Sequence, residues 1–236
     1  MSARSNVTLG MFVRHPVPGG VKTRLAKELG EQRACAIYAA FITDLIARFR
    51  SSGTQRYLCF TPDDDDSRHY FEKMAGSEFG LWPQPAGDLG TRMERFFNEY
   101  LSAADDRVVV IGSDSPTLPQ EYLERAFDEL GHDELAKNEN TPADCVVGPA
   151  TDGGYYLIGM RGRVWPVFAD MMWSKPGVLD RTVARLAGAG ARLALLPVWY
   201  DVDTPDDWRM LAGHIRALNA CGSTINLEAT RRCLRP

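Results

Sequence analysis

Three cations and two glycines make up the most chemically specific segment of the chain. Residues 14–30 read RHPVPGGVKTRLAKELG, directly after the apolar run VTLGMFV at 7–13, so Arg14, Lys22 and Arg24 bracket Gly19 and Gly20. Paired glycines let a backbone approach a ligand closely and turn its N–H groups inward. The helix predicted next adds a positive N-terminal dipole, and Thr23, between the two cations of the KTR run, belongs to the same loop. Cations at a helix start are electrostatically misplaced unless an anion sits there, so the segment reads as a polyphosphate site. It is not a Walker A loop, because Val21 stands where that motif needs glycine before Lys. No GxGxxG fingerprint follows a predicted strand, which argues against an ordinary dinucleotide site.

Acidic residues supply the complementary chemistry. GSDSPTLP (112–119) places Ser113 and Asp114 just past a buried strand, and DVDTPDDW (201–208) offers Asp201, Asp203, Asp206 and Asp207. Asp206 and Asp207 follow Pro205 and suit helix capping. Asp203 is left to point outward from extended backbone near the proline. Asp114 and Asp203 together form a hard oxygen pair suited to Mg²⁺ or Mn²⁺, ions that complete their shell with phosphate oxygens and water. Two further stretches belong near the site. QPAGDLGTRM (84–93) sets Asp88 between Gly87 and Gly90 with Arg92 on a helix start, and Asp152-Gly153-Gly154 reads either as a hairpin turn or as the lining of an acceptor pocket. Asp152 and Asp88 are the candidates for a general base. Trp173-Ser174-Lys175 stands before a helix where it could close that pocket.

The elements that must position these residues alternate. Strands are predicted at 7–13, 56–61, 79–83, 106–114, 144–150, 154–160 and 192–199. Helices are predicted over 34–49, up to about 75, 89–101, 118–130, about 177–189 and 205–219. Residues 131–142 read as a polar loop or short extra helix, and the tail beyond Cys221 has weak signals. Continuous Val/Ile runs such as DRVVVIGSD predict an α/β domain with a parallel or mixed sheet covered on both faces. Ligands in such sheets sit at strand C-termini, where the clusters after residues 13, 112 and 199 all fall.

Bulk properties narrow the classes. With 236 residues, 44% of them apolar, the chain can bury a full core, and residues 1–236 are read as one domain with its core at about 7–219 and a tail at 220–236. A net charge of −4 excludes a general nucleic-acid surface. No apolar run reaches membrane-span length and MSARSNV lacks a signal-peptide core, which predicts a cytoplasmic protein. Cys35, Cys59, Cys145, Cys221 and Cys233 are odd in number with no CxxC pair, and so read as reduced thiols. Oligomeric state has no signature in the chain.

The segments PGGVKTRL, GDLGTRM, GSDSPTLP, GPATDGGYYLIGM, WSKPGVLDRT and DVDTPDDW occur here in order. Over about residues 7–211 the chain thereby resembles a bacterial group of the nucleotide-diphospho-sugar transferase superfamily, known as DUF2064 or the radical-SAM/selenodomain-associated transferases. The resemblance implies a GT-A fold, an α/β/α sandwich with a mostly parallel mixed sheet. It also implies a glycosyltransferase with a nucleotide-sugar donor, a small-molecule acceptor and Mg²⁺ or Mn²⁺. Lys22 and Arg24 would contact nucleotide phosphates, Asp114 would bind the metal and Asp203 would be its second carboxylate. The KTRL and DTPxD segments are also similar to guanylyltransferases acting on phospholactate and to molybdopterin guanylyltransferases. That likeness implies nucleotidyl transfer instead, with Lys and Arg offsetting charge at the attacked phosphate. Related proteins often carry Cys where this chain has Ser115. A non-catalytic nucleotide sensor of the same fold and a hydrolase are the remaining readings.

Overall fold

Alternation between buried strand runs and amphipathic helices produces a three-layer arrangement. A computed structural model describes residues 6–131, 141–173 and 175–234. Its strands are β1 (Val7–Arg14), β2 (Gln55–Thr61), β3 (Gly80–Pro83), β4 (Arg107–Ile111), β5 (Cys145–Pro149), β6 (Tyr155–Arg161) and β7 (Leu193–Leu195). Its helices are α1 (Thr23–Leu29), α2 (Glu31–Phe49), α3 (Asp65–Ala75), α4 (Leu89–Tyr100), α5 (Gln120–Leu130), α6 (Val178–Gly188), α7 (Pro205–Ala220) and α8 (Glu228–Cys233).

The strands form one sheet in the order β3-β2-β1-β4-β6-β5-β7. All pairings are parallel except those of β6, which runs antiparallel to both β4 and β5. The C-terminal ends of β1, β4, β5 and β7 therefore share one edge of the sheet. The turn between β5 and β6 lies at that same edge, because β6 starts where β5 ends.

Strand side chains alternate between two cores, as the period of two requires. Leu9, Met11, Val109 and Ile111 pack with α1, α2, α3, α5 and α7 on one face. Val108, Val110, Cys145 and Val147 pack with α4 and α6 on the other. Both faces of β4 are thus buried, which is why its sequence is an unbroken aliphatic run.

Two expectations shift. The strand predicted at 192–199 is ordered as β7 only to Leu195. Pro197 has no N–H to donate, and the chain rejoins the sheet at a single bridge between Trp199 and Ala150. The tail forms α8, whose first N–H groups are capped from a distance: Asp44 of α2 accepts from Ala229 N at 2.9 Å and Thr230 N at 2.8 Å. The short helix or loop expected at 131–142 falls largely on residues 132–140, outside the described residues. Arg48 of α2 donates to the carbonyls of Pro116, Leu118 and Asn226 and so ties the tail to the loop after β4.

Gly159 of β6 is enclosed from three sides. A Cβ there would lie 2.7 Å from Val146 Cγ1 and 2.9 Å from both Leu130 Cδ1 and Val109 Cγ2. Gly159→Ala is expected to destabilise the chain by about 1–3 kcal/mol through overpacking. The check is a lower urea midpoint at unchanged slope; an unchanged midpoint would show that β4, β5 and α5 can spread at no cost.

Candidate active site

The loop after β1 is shaped by its own backbone before any ligand is considered. Gly20 N donates to the Val17 carbonyl at 2.9 Å, closing a turn in which Gly19 has φ 77°. That positive φ favours glycine at 19. Lys22 then takes φ 47° and ψ 42° as the N-cap of α1, with no side-chain capping bond. A lysine in the left-handed region costs on the order of 1–2 kcal/mol, so something must hold it there.

Two carboxylates hold it. Lys22 Nζ lies 2.5 Å from Asp114 Oδ1 and 2.7 Å from Asp203 Oδ1. The lysine side chain is 3% exposed, whereas each carboxylate is 43% exposed toward the cleft. Burial alone would lower the Lys22 pKa, but Asp114 and Asp203 overcome it and raise it above the ordinary lysine value. The anion that the sequence demands at this helix start is thus supplied by the loops that follow β4 and β7.

A hydrogen-bond chain fixes the floor of the site. Arg14 N donates to Tyr38 Oη at 3.1 Å, Tyr38 and Ser113 hydroxyls meet at 2.7 Å, and Ser113 Oγ donates to the Phe12 carbonyl at 2.9 Å. This joins β1, α2 and β4 at one level. Burial and the nearby Asp114 charge push the Tyr38 hydroxyl up to about 12, so it stays protonated as a donor. Ser115 Oγ donates to Asp201 Oδ1 at 2.5 Å, and Val202 N donates to the Asp114 carbonyl at 2.9 Å, which ties the β4 and post-β7 loops together.

Two cavities meet over the carboxylate pair. One of about 430 Å³ is lined by Arg14, Gly20, Val21, Lys22, Thr23 and Arg24, with Asp114 and Asp203. The second, of about 550 Å³, shares Arg24, Tyr38, Asp114 and Asp203, then runs past Ser113, Asp152 and Asp201 to Trp173 and Lys175. A larger cavity of about 610 Å³ lies elsewhere, between Arg48, His214 and the tail, and holds none of these carboxylates.

The structure thus brings together Arg14, Gly20, Lys22, Thr23, Arg24, Ser113, Asp114, Asp152 and Asp203. Gly19, Asp88 and Arg92 line neither cavity. Asp88 caps α4 by accepting from Thr91 N and Oγ1, both at 2.8 Å, and Arg92 donates to the Gly87 carbonyl at 3.0 Å. Asp152 belongs to both readings weighed for it. It accepts from Gly154 N at 2.8 Å in the β5–β6 turn, and it also faces the second cavity. Asp207 caps α7 in a reciprocal box with Thr204. Ser174 lies outside the described residues.

Tyr38 and Asp201 are site residues that the sequence did not single out. Tyr38 sits in an apolar helical stretch and looks like core. For Asp201 the signal was present: it stands two residues before Asp203 on extended backbone, hence on the same side.

The hard oxygens of Asp114 and Asp203 fit a divalent ion. They already converge on one cation through single oxygens while remaining half-exposed to the cleft. Mg²⁺ takes one or two carboxylates and keeps water or phosphate for the rest. Among the described residues no group of three His, Cys, Asp or Glu forms a closed metal cluster.

Comparison with known proteins identifies the family and the fold. A family model described as an uncharacterized protein conserved in bacteria (DUF2064) matches residues 45–175. The chain is similar to a protein from Desulfovibrio desulfuricans G20 provisionally named a nucleotide-diphospho-sugar transferase. The two are 31% identical with a TM-score of 0.83, over 97% of this chain and 94% of that one. A 4-diphosphocytidyl-2C-methyl-D-erythritol synthase matches at 13% identity and TM-score 0.57, over 92% and 100% of the two chains. A cytidylyltransferase from Leptospira borgpetersenii serovar Hardjo-bovis matches at 13% identity and TM-score 0.55, over 94% and 97%. At that identity the last two share only the fold, which is of the GT-A type. No curated protein matches the chain in sequence.

Asp201 generates a pH test. Burial, reinforced by the Asp114 and Asp152 charges and opposed by the Ser115 hydrogen bond and Lys22, raises its pKa to about 6. An unfolded aspartate titrates near about 4. The folded state is therefore penalised for ionised Asp201 above pH 6, and the penalty fades as pH falls and is gone below about 4. Asp201→Asn is expected to raise Tm at about pH 8 and to leave it unchanged near pH 4 in metal-free buffer. A gain of equal size at both pH values would rule out charge burial as its cause.

Proposed function

The chain belongs to the DUF2064 family, and on that premise we propose that it is a metal-dependent transferase using a nucleotide-diphospho-sugar donor. One observation carries the reading. A cationic loop and a carboxylate pair meet at the C-terminal edge of the sheet, where two cavities join. The 31% identical neighbour with a provisional transferase name supports the donor class.

Arg14 and Arg24 would neutralise the donor's phosphates in the first cavity, with Gly20 letting the backbone close on them. Asp114 and Asp203 would hold Mg²⁺ or Mn²⁺, whose chemistry when bound is to neutralise charge on the departing phosphate. The acceptor would enter the second cavity, where Asp152 is the exposed carboxylate available to take its proton and Trp173 and Lys175 form the outer wall. The free thiols, Cys35, Cys59 and Cys145 of them buried, suit a reducing compartment, and we place the reaction in the cytoplasm. Among the described residues no helix is long and apolar enough to cross a membrane.

A specific observation favours a second reading. Arg14 and Arg24 both line the first cavity, and with a divalent ion bound beside them the positive charge exceeds the two negative charges of a nucleotide-sugar diphosphate and suits a triphosphate attacked at its α-phosphorus. In that case the chain would transfer a nucleotidyl group to a small phosphorylated acceptor.

Thermal shift separates the two. Nucleoside triphosphates and nucleotide-diphospho-sugars are compared, each with and without Mg²⁺ or Mn²⁺, since a ligand that binds only the folded state raises Tm. A metal-dependent rise with a nucleotide-sugar is the expected result; a rise confined to one triphosphate selects nucleotidyl transfer, and no rise with any donor removes both. With the donor identified, Asp114→Asn is expected to lower turnover at least about a hundredfold, comparable to losing one charge-stabilising contact, with the circular dichroism spectrum unchanged. An undiminished rate would take Asp114 out of the mechanism.

A further inference from the structure

Lys22 is the residue a phosphate-binding loop would be expected to present to its ligand, yet its position is the reverse. Its side chain is 3% exposed and lies beneath two carboxylates that are each 43% exposed. The ammonium stands 5.6 Å from the Tyr38 ring centroid and 5.9 Å from that of Phe41, so aromatic rings flank the head group. Of its three N–H donors, one reaches Asp114 and one reaches Asp203. The left-handed backbone at Lys22 directs the side chain inward and is an observed strain rather than an assumed one. Arg14, Thr23 and Arg24, by contrast, line the cavity around it, and among the described residues neither arginine is in an ion pair.

We propose that Lys22 is a positioning residue and not a phosphate ligand: a built-in cation that spaces Asp114 and Asp203 and holds their outer oxygens toward the cleft. This deepens the reading given above and rests on it for the identity of the metal site. The spacing follows from geometry, because both carboxylates touch one nitrogen. The consequence follows from charge. With the ammonium in place the trio carries one net negative charge instead of two, so a divalent ion by itself is held weakly. The shortfall is made up by the phosphates of the nucleotide, and metal and nucleotide are taken up as one complex. The phosphate-contacting role then falls to Arg14 and Arg24.

Mn²⁺ binding without nucleotide, read by electron paramagnetic resonance as loss of the free-ion signal, is the decisive measurement. Lys22→Met keeps the length and removes the charge, leaving two facing carboxylates with nothing between them. Mn²⁺ affinity of this variant is expected to rise at least about tenfold over the native chain, the equivalent of about 1.4 kcal/mol. An unchanged or weaker Mn²⁺ affinity overturns the proposal, as does loss of nucleotide binding at saturating Mg²⁺, which is what removing a phosphate ligand would cause.

A measurement on the native chain decides the point if Lys22→Met does not fold. Acetylation by an amine-reactive ester, mapped by mass spectrometry, should modify the exposed Lys27, Lys73 and Lys175 and spare Lys22, with or without nucleotide. Modification of Lys22 in the free chain that nucleotide then blocks overturns the proposal. If the native chain binds no nucleotide at all, the transferase reading falls, while the labelling pattern still decides where Lys22 points.

Discussion

Two carboxylates from the loops after different strands stand side by side because a buried ammonium lies between them. Within about 5 Å of each other, unit charges at an effective dielectric near 20 would repel by roughly 3 kcal/mol, and Lys22 converts that repulsion into two attractions. The pairing is mutual. A buried ammonium is tolerated only when paired, and a left-handed lysine only when its surroundings compensate the strain. The loops after β1, β4 and β7 are therefore fastened at one point, and the Val202–Asp114 backbone bond closes the join.

Sheet topology makes that point reachable. β1 pairs with β2 on one side and β4 on the other, so the chain leaving β1 and the chain leaving β4 diverge at a switch in strand order. The single reversed strand, β6, matters as much as the parallel ones. It returns the β5–β6 turn to the active edge and places Asp152 opposite the cationic loop. Behind the edge, Ser113, Tyr38 and the carbonyl of Phe12 form a rigid floor, and Arg48 ties the loop after β4 to the tail. The site rests on strand ends and one helix, which gives its groups the fixed positions that charge stabilisation needs.

Much of this was legible along the chain. The aliphatic run of β4 and the helical spacing of α2 are local patterns set by side-chain period, and they survive intact in the fold. The strand-end positions of Arg14–Arg24, Ser113–Asp114 and Asp203 follow once the sheet is taken to be mostly parallel. The less regular parts depended on remote partners. α8 has little signal of its own because its cap is Asp44, 185 residues before Ala229. β7 ends early because Pro197 removes a donor, and it regains the sheet only through a bridge to Ala150.

The site divides in the same way. Residue types and spacing determined by themselves that cations, glycines and carboxylates would gather at one edge, since the period of a strand and the direction of a parallel sheet are local properties. They also placed Asp207 as a cap, because a capping box spans only four residues. Which cation meets which anion was decided by tertiary structure alone. Lys22 and Asp203 are 181 residues apart, Ser115 and Asp201 are 86 apart, and whether Lys22 faces a ligand or its own carboxylates depends on a backbone angle and on burial. Asp88 and Asp152 likewise each stand next to a glycine in sequence, Gly87 and Gly153. One became a helix cap and the other a wall of the cleft, because only the packed chain determines which turn lies at the edge where β1 and β4 end.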